Sequence, residues 1–510
     1  MSALARSTAL CLAFAATLVS GGASSDPASY PVAPPVAAPN DHAADVETAV
    51  NAITRETIFK DAAIGIAVMD VDTGHYLAAF HEHDPLNPAS NAKLYTAAAA
   101  LATLHGNHRY ETTLSGRVKG TVVSGPLVVR GYGDPSLRSA DLWELAQDLR
   151  TRGIRKVEGD VLVDQRFFDE QTTPPAFEQQ PHEWASFRAP VSAVSVNENT
   201  ITMTVRPTSA GNPAVVTFDP PGFVDVEGTI QSVDGGGADT VGLVLAGGDD
   251  QRMTAKVSGS IALDSKLARF TRRVENPTLL AGYAMKAILA DMNIEVSGLV
   301  KSGAGPHDAP VLATHKSVEL SALLYELGKM SDNFYAETVF KTLAGEKKGR
   351  PAHSADSSDV VTKWLGDVGA FDPGMIIKNG SGLFDANRVT AGATVQLLRA
   401  AWQDPSMRDE YVAQLAIGGV DGTLRGRLKK EVRRRAVRAK TGTLDDAIAL
   451  SGYVLGPPGK GPIAFSVLFN KVEGKAYGAR AAADRLAEVI AERLWGDGEK
   501  VAQGRARQRD

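Results

Sequence analysis

Apolar residues recur at helical spacing at Val46, Ala49, Val50 and Ile53, which predicts a helix over 45–54. Ile64 to Asp70 then reads as a strand, Asp72-Thr73-Gly74 as a turn, and Tyr76 to Phe80 as a second strand. The far end of the chain mirrors this pattern. Ala447 to Leu455 and Ile463 to Phe469 are strands around the turn Pro457-Pro458-Gly459-Lys460-Gly461. After them Leu486, Val489, Ile490 and Leu494 lie on one face of a helix. Each end supplies a helix and a hairpin, the parts of one antiparallel sheet flanked by helices.

Between Glu111 and Phe270 the texture changes to short β-like runs broken by glycine: 127–129, 161–163, 201–205, 215–216 and 241–245. This predicts a β-rich insertion of two modules. Helical spacing returns from Thr278 to Ala400, starting with Ala281, Met285, Ile288 and Leu289. The expected fold class is therefore α+β, an antiparallel sheet flanked by helices and interrupted by the insertion. The expected boundaries are 46–110 and 272–496 for the sheet-and-helix body, 111–271 for the insertion, and 497–510 for a polar tail.

Composition adds the compartment. Hydrophobic residues make up 44% and charged residues 22% of the 510, the profile of an ordinary globular protein. The one cysteine, Cys11, sits in the apolar run Ala9 to Val19, which follows Arg6 and leads to Ser20-Gly21-Gly22-Ala23. That is the pattern of a signal peptide over 1–23. Eleven residues are too few to span a hydrocarbon core of about 30 Å. Residues 24–45, with five prolines, read as an extended linker. Cleavage would leave a cysteine-free chain with a formal charge of −6 in place of −5, because Arg6 is lost. Disulfides, thiolate metal sites and a cysteine nucleophile then drop out, and nothing in the charge balance asks for nucleic acid.

One serine, Ser90, has a lysine three residues on, in Pro88-Ala89-Ser90-Asn91-Ala92-Lys93. The run Leu94 to Leu104 is a strong helix former ending at Gly106, so Ser90 lies at a helix start and shares a face with Lys93. A serine hydroxyl attacks only when a base takes its proton, and a lysine can be that base when burial or another cation lowers its pKa. Alone, Ser90 could be a helix cap and Lys93 a surface residue. A serine-lysine acyl enzyme also needs a Ser-x-Asn and a Lys-Thr/Ser-Gly element. Each occurs twice: Ser195-Val196-Asn197 with Lys301-Ser302-Gly303, and Ser331-Asp332-Asn333 with Lys440-Thr441-Gly442. The later pair is preferred. Ala304-Gly305-Pro306 would end a strand after Lys301, whereas Lys440-Thr441-Gly442-Thr443 leads into the hairpin 447–469, and Ser331 lies among helices.

These motifs resemble the serine D-alanyl-D-alanine peptidases, the penicillin-binding proteins and their serine β-lactamase relatives. The 241 positions from Ser90 to Ser331 and the 109 from Ser331 to Lys440 resemble the D-alanyl-D-alanine carboxypeptidase/endopeptidase family, the class C low-molecular-mass penicillin-binding proteins, which carry two extra domains there. Further stretches match that family: Gly131 to Leu137, Gly159 to Asp164, Ala193 to Asn199 and Asp421 to Leu424. The resemblance implies a serine DD-peptidase/β-lactamase-like fold and an exported enzyme, periplasmic or cell-wall associated, acting on peptidoglycan stem peptides and cross-bridges, with β-lactams as inhibitors. It implies no cofactor, no metal and no membrane span after signal cleavage. Its roles fall on Ser90 as nucleophile, Lys93 as base, Ser331 and Lys440 as proton carriers to the leaving amine, and Asn333 on the substrate amide. Thr441, Gly442 and Thr443 would meet the substrate carboxylate, and the backbone N–H groups of Ser90 and Thr443 would form the oxyanion hole. A β-lactamase, or a non-catalytic cell-wall binding or sensor protein, are the alternative readings.

The family's Asp-Gly-Ser-Gly-Leu-Ser-Arg-x-Asn stretch departs here to Asn379-Gly380-Ser381-Gly382-Leu383-Phe384-Asp385-Ala386-Asn387. Asp385 stands where the family has an arginine, so it is a candidate for reading the stem-peptide side chain. Asp164 matches a family aspartate in the insertion that faces the cleft, with a strand-end turn residue as the alternative reading. His81-x-His83 reads as a solvated loop, and the nine basic residues of Arg425 to Lys440 as a solvated helix face or a steering patch for anionic substrate.

Overall fold

The computed structural model describes residues 43–248 and 251–507. The expected signal peptide 1–23 and nearly all of the expected linker lie outside the described residues.

Six antiparallel strands form the central sheet, in the order Tyr76–Phe80, Ala63–Asp70, Ile463–Asn470, Ala447–Val454, Val437–Thr443, Ala416–Ile417. The two ends of the chain meet at its middle, where Ile66 pairs with Val467 and Val68 with Phe465. Alternate residues point to opposite faces. Ile66, Val68, Ile448, Leu450, Val467 and Phe469 pack under the helices Ala43–Thr54 and Ala476–Arg507. Ala67, Met69, Ala449 and Leu468 pack on the other side, against the helices Ala92–Leu104 and Ala391–Gln403. Both faces are dry, which is why these strands are mostly apolar rather than alternating, with the buried Ser451 donating to Ser466 on the neighbouring strand. The last helix runs through the segment expected as a polar tail, up to Arg507. A polar sequence without Pro is compatible with a helix whose preceding turns are anchored by Ala479, Ala483, Leu486 and Ile490.

The inserted region holds two cores. One lies in a five-stranded sheet ordered Val300–Ser302, Val161–Asp164, Leu127–Gly131, Glu111–Ser115, Val311–Lys316, covered by the helices Ser139–Thr151 and Leu280–Asp291. Its three strands Leu127–Gly131, Val161–Asp164 and Val300–Ser302 pair in parallel. The other is smaller, built on Met203, Val205, Ile230, Ala255, Val257 and Ile261 among short strands between 200 and 273. The helix Leu280–Asp291, read from sequence as the return of the catalytic body, buries its apolar face on the first of these sheets, and strands as late as Lys316 belong to it. The expected end of the insertion at 271 therefore does not coincide with the end of its sheets. A helix of that periodicity packs equally well on either body, and only strand pairing decides.

Candidate active site

Ser90 sits in the single 3-10 turn Ala89–Asn91 that opens the helix Ala92–Leu104. Ala89 before it has φ +46°, a left-handed conformation held in place because the residue is fully buried. Asn87 Oδ1 accepts from the Ala89 N–H at 2.9 Å. One helical turn on, Lys93 is fully buried beneath Ser90. Its Nζ donates to Ser90 Oγ at 3.1 Å, Asn333 Oδ1 at 2.7 Å and the Ser381 carbonyl at 2.8 Å.

The second motif begins a helix. Asp332 caps Asn333–Lys347 by accepting from the Tyr335 N–H at 2.9 Å, and Ser331, with φ +64°, turns the chain into it. The third motif lies in the strand Val437–Thr443, next to the sheet's short last strand. Lys440 Nζ donates to Ser331 Oγ at 2.7 Å and to the Thr441 carbonyl at 2.9 Å. The two lysines thus each hold one motif serine. Ser90, Ser331, Asn333 and Thr443 line one cavity of about 880 Å³, which Gln179, Phe187, Phe384, Asp385 and Arg388 close from other loops.

Burial drops the Lys93 ammonium from its ordinary 10.5 to about 7, against the opposing pull of Asp332 and Glu337. Burial, and then the like charge of Lys93, holds Lys440 well below its ordinary value. Burial pushes Asp332 up to about 6, helped by the nearby Glu198 carboxylate. A lysine that loses its proton near neutrality can take one from a serine hydroxyl.

Thr441 is buried, with Oγ1 donating to Thr423 Oγ1 at 2.9 Å, and Gly442 lies between it and Thr443 in the strand. Asp385 lines the cavity but is already paired, with Arg388 at 2.6 Å and Asn87 Nδ2 at 3.2 Å. Asp164 does not line it. Its buried carboxylate is held by Arg130 at 2.8 Å and Arg166 at 2.9 Å, at the end of the strand Val161–Asp164 and in a second cavity of about 780 Å³. The formal charges lining that second cavity balance, with Arg130, Arg166 and Arg350 against Asp164, Asp169 and Glu170. The rejected motif pair stays apart from the Ser90 cavity: Ser195 is buried against Ser192 and Asn199, and Lys301 pairs with Asp160. The basic stretch before Lys440 is not a helix face. It runs through short 3-10 turns and a strand, with Arg427 on Asp484 and Lys430 on Glu488 of the last helix.

Three contributors escaped the sequence reading. Arg480 donates to Thr443 Oγ1 at 3.3 Å from the last helix, and Phe187 offers its carbonyl to Asn333 Nδ2 at 3.0 Å. The third is Glu337, one turn after Asn333, which accepts the N–H groups of Gly380 and Ser381. Only Glu337 had a signal, a carboxylate at helical spacing from the Ser-x-Asn motif.

Residues 46–492 match the D-Ala-D-Ala carboxypeptidase 3 (S13) family. The chain belongs to that family. It is thereby a serine-type D-Ala-D-Ala carboxypeptidase, and the resemblance read from the three motifs is borne out. A D-alanyl-D-alanine carboxypeptidase of Actinomadura sp. (strain R39) is 33% identical over 466 residues, covering 87% of this chain and 84% of the relative. The D-alanyl-D-alanine carboxypeptidase DacB of Haemophilus influenzae is 26% identical over 412 residues, 80% of this chain and 85% of the relative. Among solved structures, penicillin binding protein 4 from Haemophilus influenzae superposes with a TM-score of 0.71 at 24% identity, covering 88% of this chain and 98% of that one. That likeness bears out the α+β fold class with its antiparallel sheet and helices.

Proposed function

We propose that this S13 enzyme cleaves the D-alanyl-D-alanine end of peptidoglycan stem peptides, and cross-bridges of the same linkage, through an acyl-enzyme on Ser90. The observation that carries the reading is the buried Lys93 ammonium bonded at once to Ser90 Oγ and Asn333 Oδ1, with Lys440 on Ser331 alongside. Ser90 Oγ attacks the carbonyl carbon of the penultimate D-alanine and its proton passes to Lys93. The oxyanion is held by the N–H groups of Ser90 and Thr443, each donor of that kind being worth about 3 kcal/mol. The C–N bond then breaks, and Ser331 with Lys440 hands a proton to the departing amine. Water releases the product from the ester. Asn333 takes the substrate amide, exchanging the Phe187 carbonyl for it. Lys440, Thr441 and Thr443, joined by Arg480, offer cation and hydroxyl groups to the terminal carboxylate. Gly442 lets the strand pass close to Pro88.

The same attack on a β-lactam carbonyl would leave a penicilloyl-serine, so β-lactams are the expected inhibitors. Among the described residues no helix is long and apolar enough to cross a membrane. With the leader pattern at 1–23, this supports an exported enzyme, periplasmic or cell-wall associated. We divide the chain into a catalytic body of 46–110 with about 317–496 and an inserted region between them.

Two measurements test the reading. A fluorescent penicillin should label the wild type and not Ser90→Ala, and the purified protein should release D-alanine from a pentapeptide stem. Labelling that survives Ser90→Ala removes Ser90 as nucleophile, and no D-alanine release favours a binding or sensor role.

A further inference from the structure

Beneath the catalytic groups lies a carboxylate that the mechanism above does not use. Glu337 is 3% exposed, on the same helix as Asn333 and one turn further in. Its Oε1 accepts the Ser381 N–H at 2.8 Å and its Oε2 the Gly380 N–H at 3.1 Å. The carbonyl of that same Ser381 is one of the three acceptors around Lys93 Nζ. The loop lies so close to the helix that a Cβ on Gly380 would come within 2.5 Å of the Ala336 carbonyl oxygen.

We propose that Glu337 is a positioning residue for the acylation step: it clamps the 380–382 loop so that the Ser381 carbonyl aims Lys93 at Ser90, and it sets the pH at which Lys93 becomes a base. The inference rests on the function proposed above. Every partner of the carboxylate is a donor, so the pocket fits the ionised form, while burial alone pushes its proton affinity up. An ionised Glu337 raises the proton affinity of Lys93, as Asp332 does from the head of the same helix. Lys440, on the sheet side, is itself held well below its ordinary value by burial and by the charge of Lys93. Lys341, on the same helix, also feels Glu337 but is held by Asp169. The charges beyond Asp332 are Glu198, Glu326 and the Arg138 guanidinium, which meets Glu198 and the Tyr335 hydroxyl.

The sign follows. Lys93 accepts a proton only when neutral, so acylation rises with pH through about 7 in the wild type. Glu337→Gln removes the negative charge and turns an amide toward an N–H donor. Lys93 then holds its proton less tightly, and the rising limb moves to lower pH, by about one pH unit. The loosened loop lowers the plateau rate, by roughly tenfold.

The test is the pH dependence of the second-order rate of penicillin acylation, measured with thermal melting on wild type, Glu337→Gln and Glu337→Asp in the full chain. The expected result is a limb shifted down in Glu337→Gln and a limb near the wild-type position in Glu337→Asp, which keeps the charge. A limb at the wild-type pH in Glu337→Gln, whatever its plateau or melting temperature, overturns the proposal. If Glu337→Gln does not fold, Glu337→Asp decides on its own: its limb must stay within about 0.3 pH units of wild type while its plateau falls, and a plateau at the wild-type rate overturns the clamp. A wild type that penicillin does not acylate overturns the function reading instead, which keeps the two failures distinct.

Discussion

At the scale of single residues, the altered stretch 379–387 shows how an apparently mild substitution is locked in by its neighbours. Asn379 is fully buried, and its amide donates to the Pro175 carbonyl at 2.9 Å and the Leu383 carbonyl at 3.2 Å. Its Oδ1 accepts from the Gly382 N–H and from Asn387 Nδ2, both at 3.0 Å. An aspartate, the residue usual in the family, has no N–H to offer the two carbonyls. Asn379→Asp should therefore destabilise the protein by about 2–4 kcal/mol, read as a lower urea midpoint with an unchanged slope. The neighbouring Asp385 bears on substrate choice. It faces the Ser90 cavity with Arg388 already at 2.6 Å, and the pair is partly exposed. An exposed ion pair contributes about 0–1 kcal/mol, so an incoming amine gains only a several-fold advantage. Stem peptides with a free amine at the third residue, or without a side-chain carboxylate there, should be preferred on that scale by the wild type. Comparing lysine-containing and diaminopimelate-containing stems on wild type and Asp385→Arg checks this, and an unchanged kcat/KM ratio would show that Asp385 does not read the side chain.

At the scale of elements, Ser90 is held by the meeting of a turn and a loop. Gly382 has φ +73°, and a Cβ there would lie 1.9 Å from the Ala89 carbonyl oxygen. Ala89 is the residue whose left-handed backbone presents Ser90. Gly382→Ala forces the two apart while also placing a side chain in a conformation that disfavours it. We expect a stability loss above about 1 kcal/mol. Penicillin acylation should fall more than the stability loss explains, because the folded molecules present a displaced Ser90. A stopped-flow acylation rate normalised to folded protein distinguishes this from simple unfolding.

At the scale of the whole molecule, the catalytic sheet joins strands from opposite ends of the chain, Ala63–Asp70 against Ile463–Asn470, with the inserted region between them. The inserted sheet pairs nearer neighbours, such as Leu127–Gly131 with Val161–Asp164. Closing a longer loop costs more entropy and slows the contacts that depend on it. In pulse-labelled hydrogen exchange during refolding, the amides of Leu127–Gly131 and Val161–Asp164 should become protected before those of Ala63–Asp70 and Ile463–Asn470. Penicillin reactivity should return with the second group. Simultaneous protection of both sets would show that the region between does not fold ahead of the catalytic sheet.

The sequence alone determined the chemistry and the core of the fold. Ser90-x-x-Lys93, Ser331-x-Asn333 and Lys440-Thr441-Gly442 are short-range patterns that pointed to the family, and strands 63–70, 447–454 and 463–470 are legible because both faces are buried. The tertiary structure decided what depends on contacts distant in sequence. It set Asp164 apart from the Ser90 cavity, because two arginines, Arg130 and Arg166, hold its carboxylate elsewhere. It carried the inserted sheets on to Lys316, because the helix Leu280–Asp291 could have packed on either body and strand pairing chose. It placed Glu337 and the Ser381 carbonyl around Lys93, a contact across 44 residues from Glu337 and 288 from Lys93 that no local periodicity encodes. Spacing along a chain reports which side chains share an element, whereas burial and proton affinity arise only where separate elements close over one another.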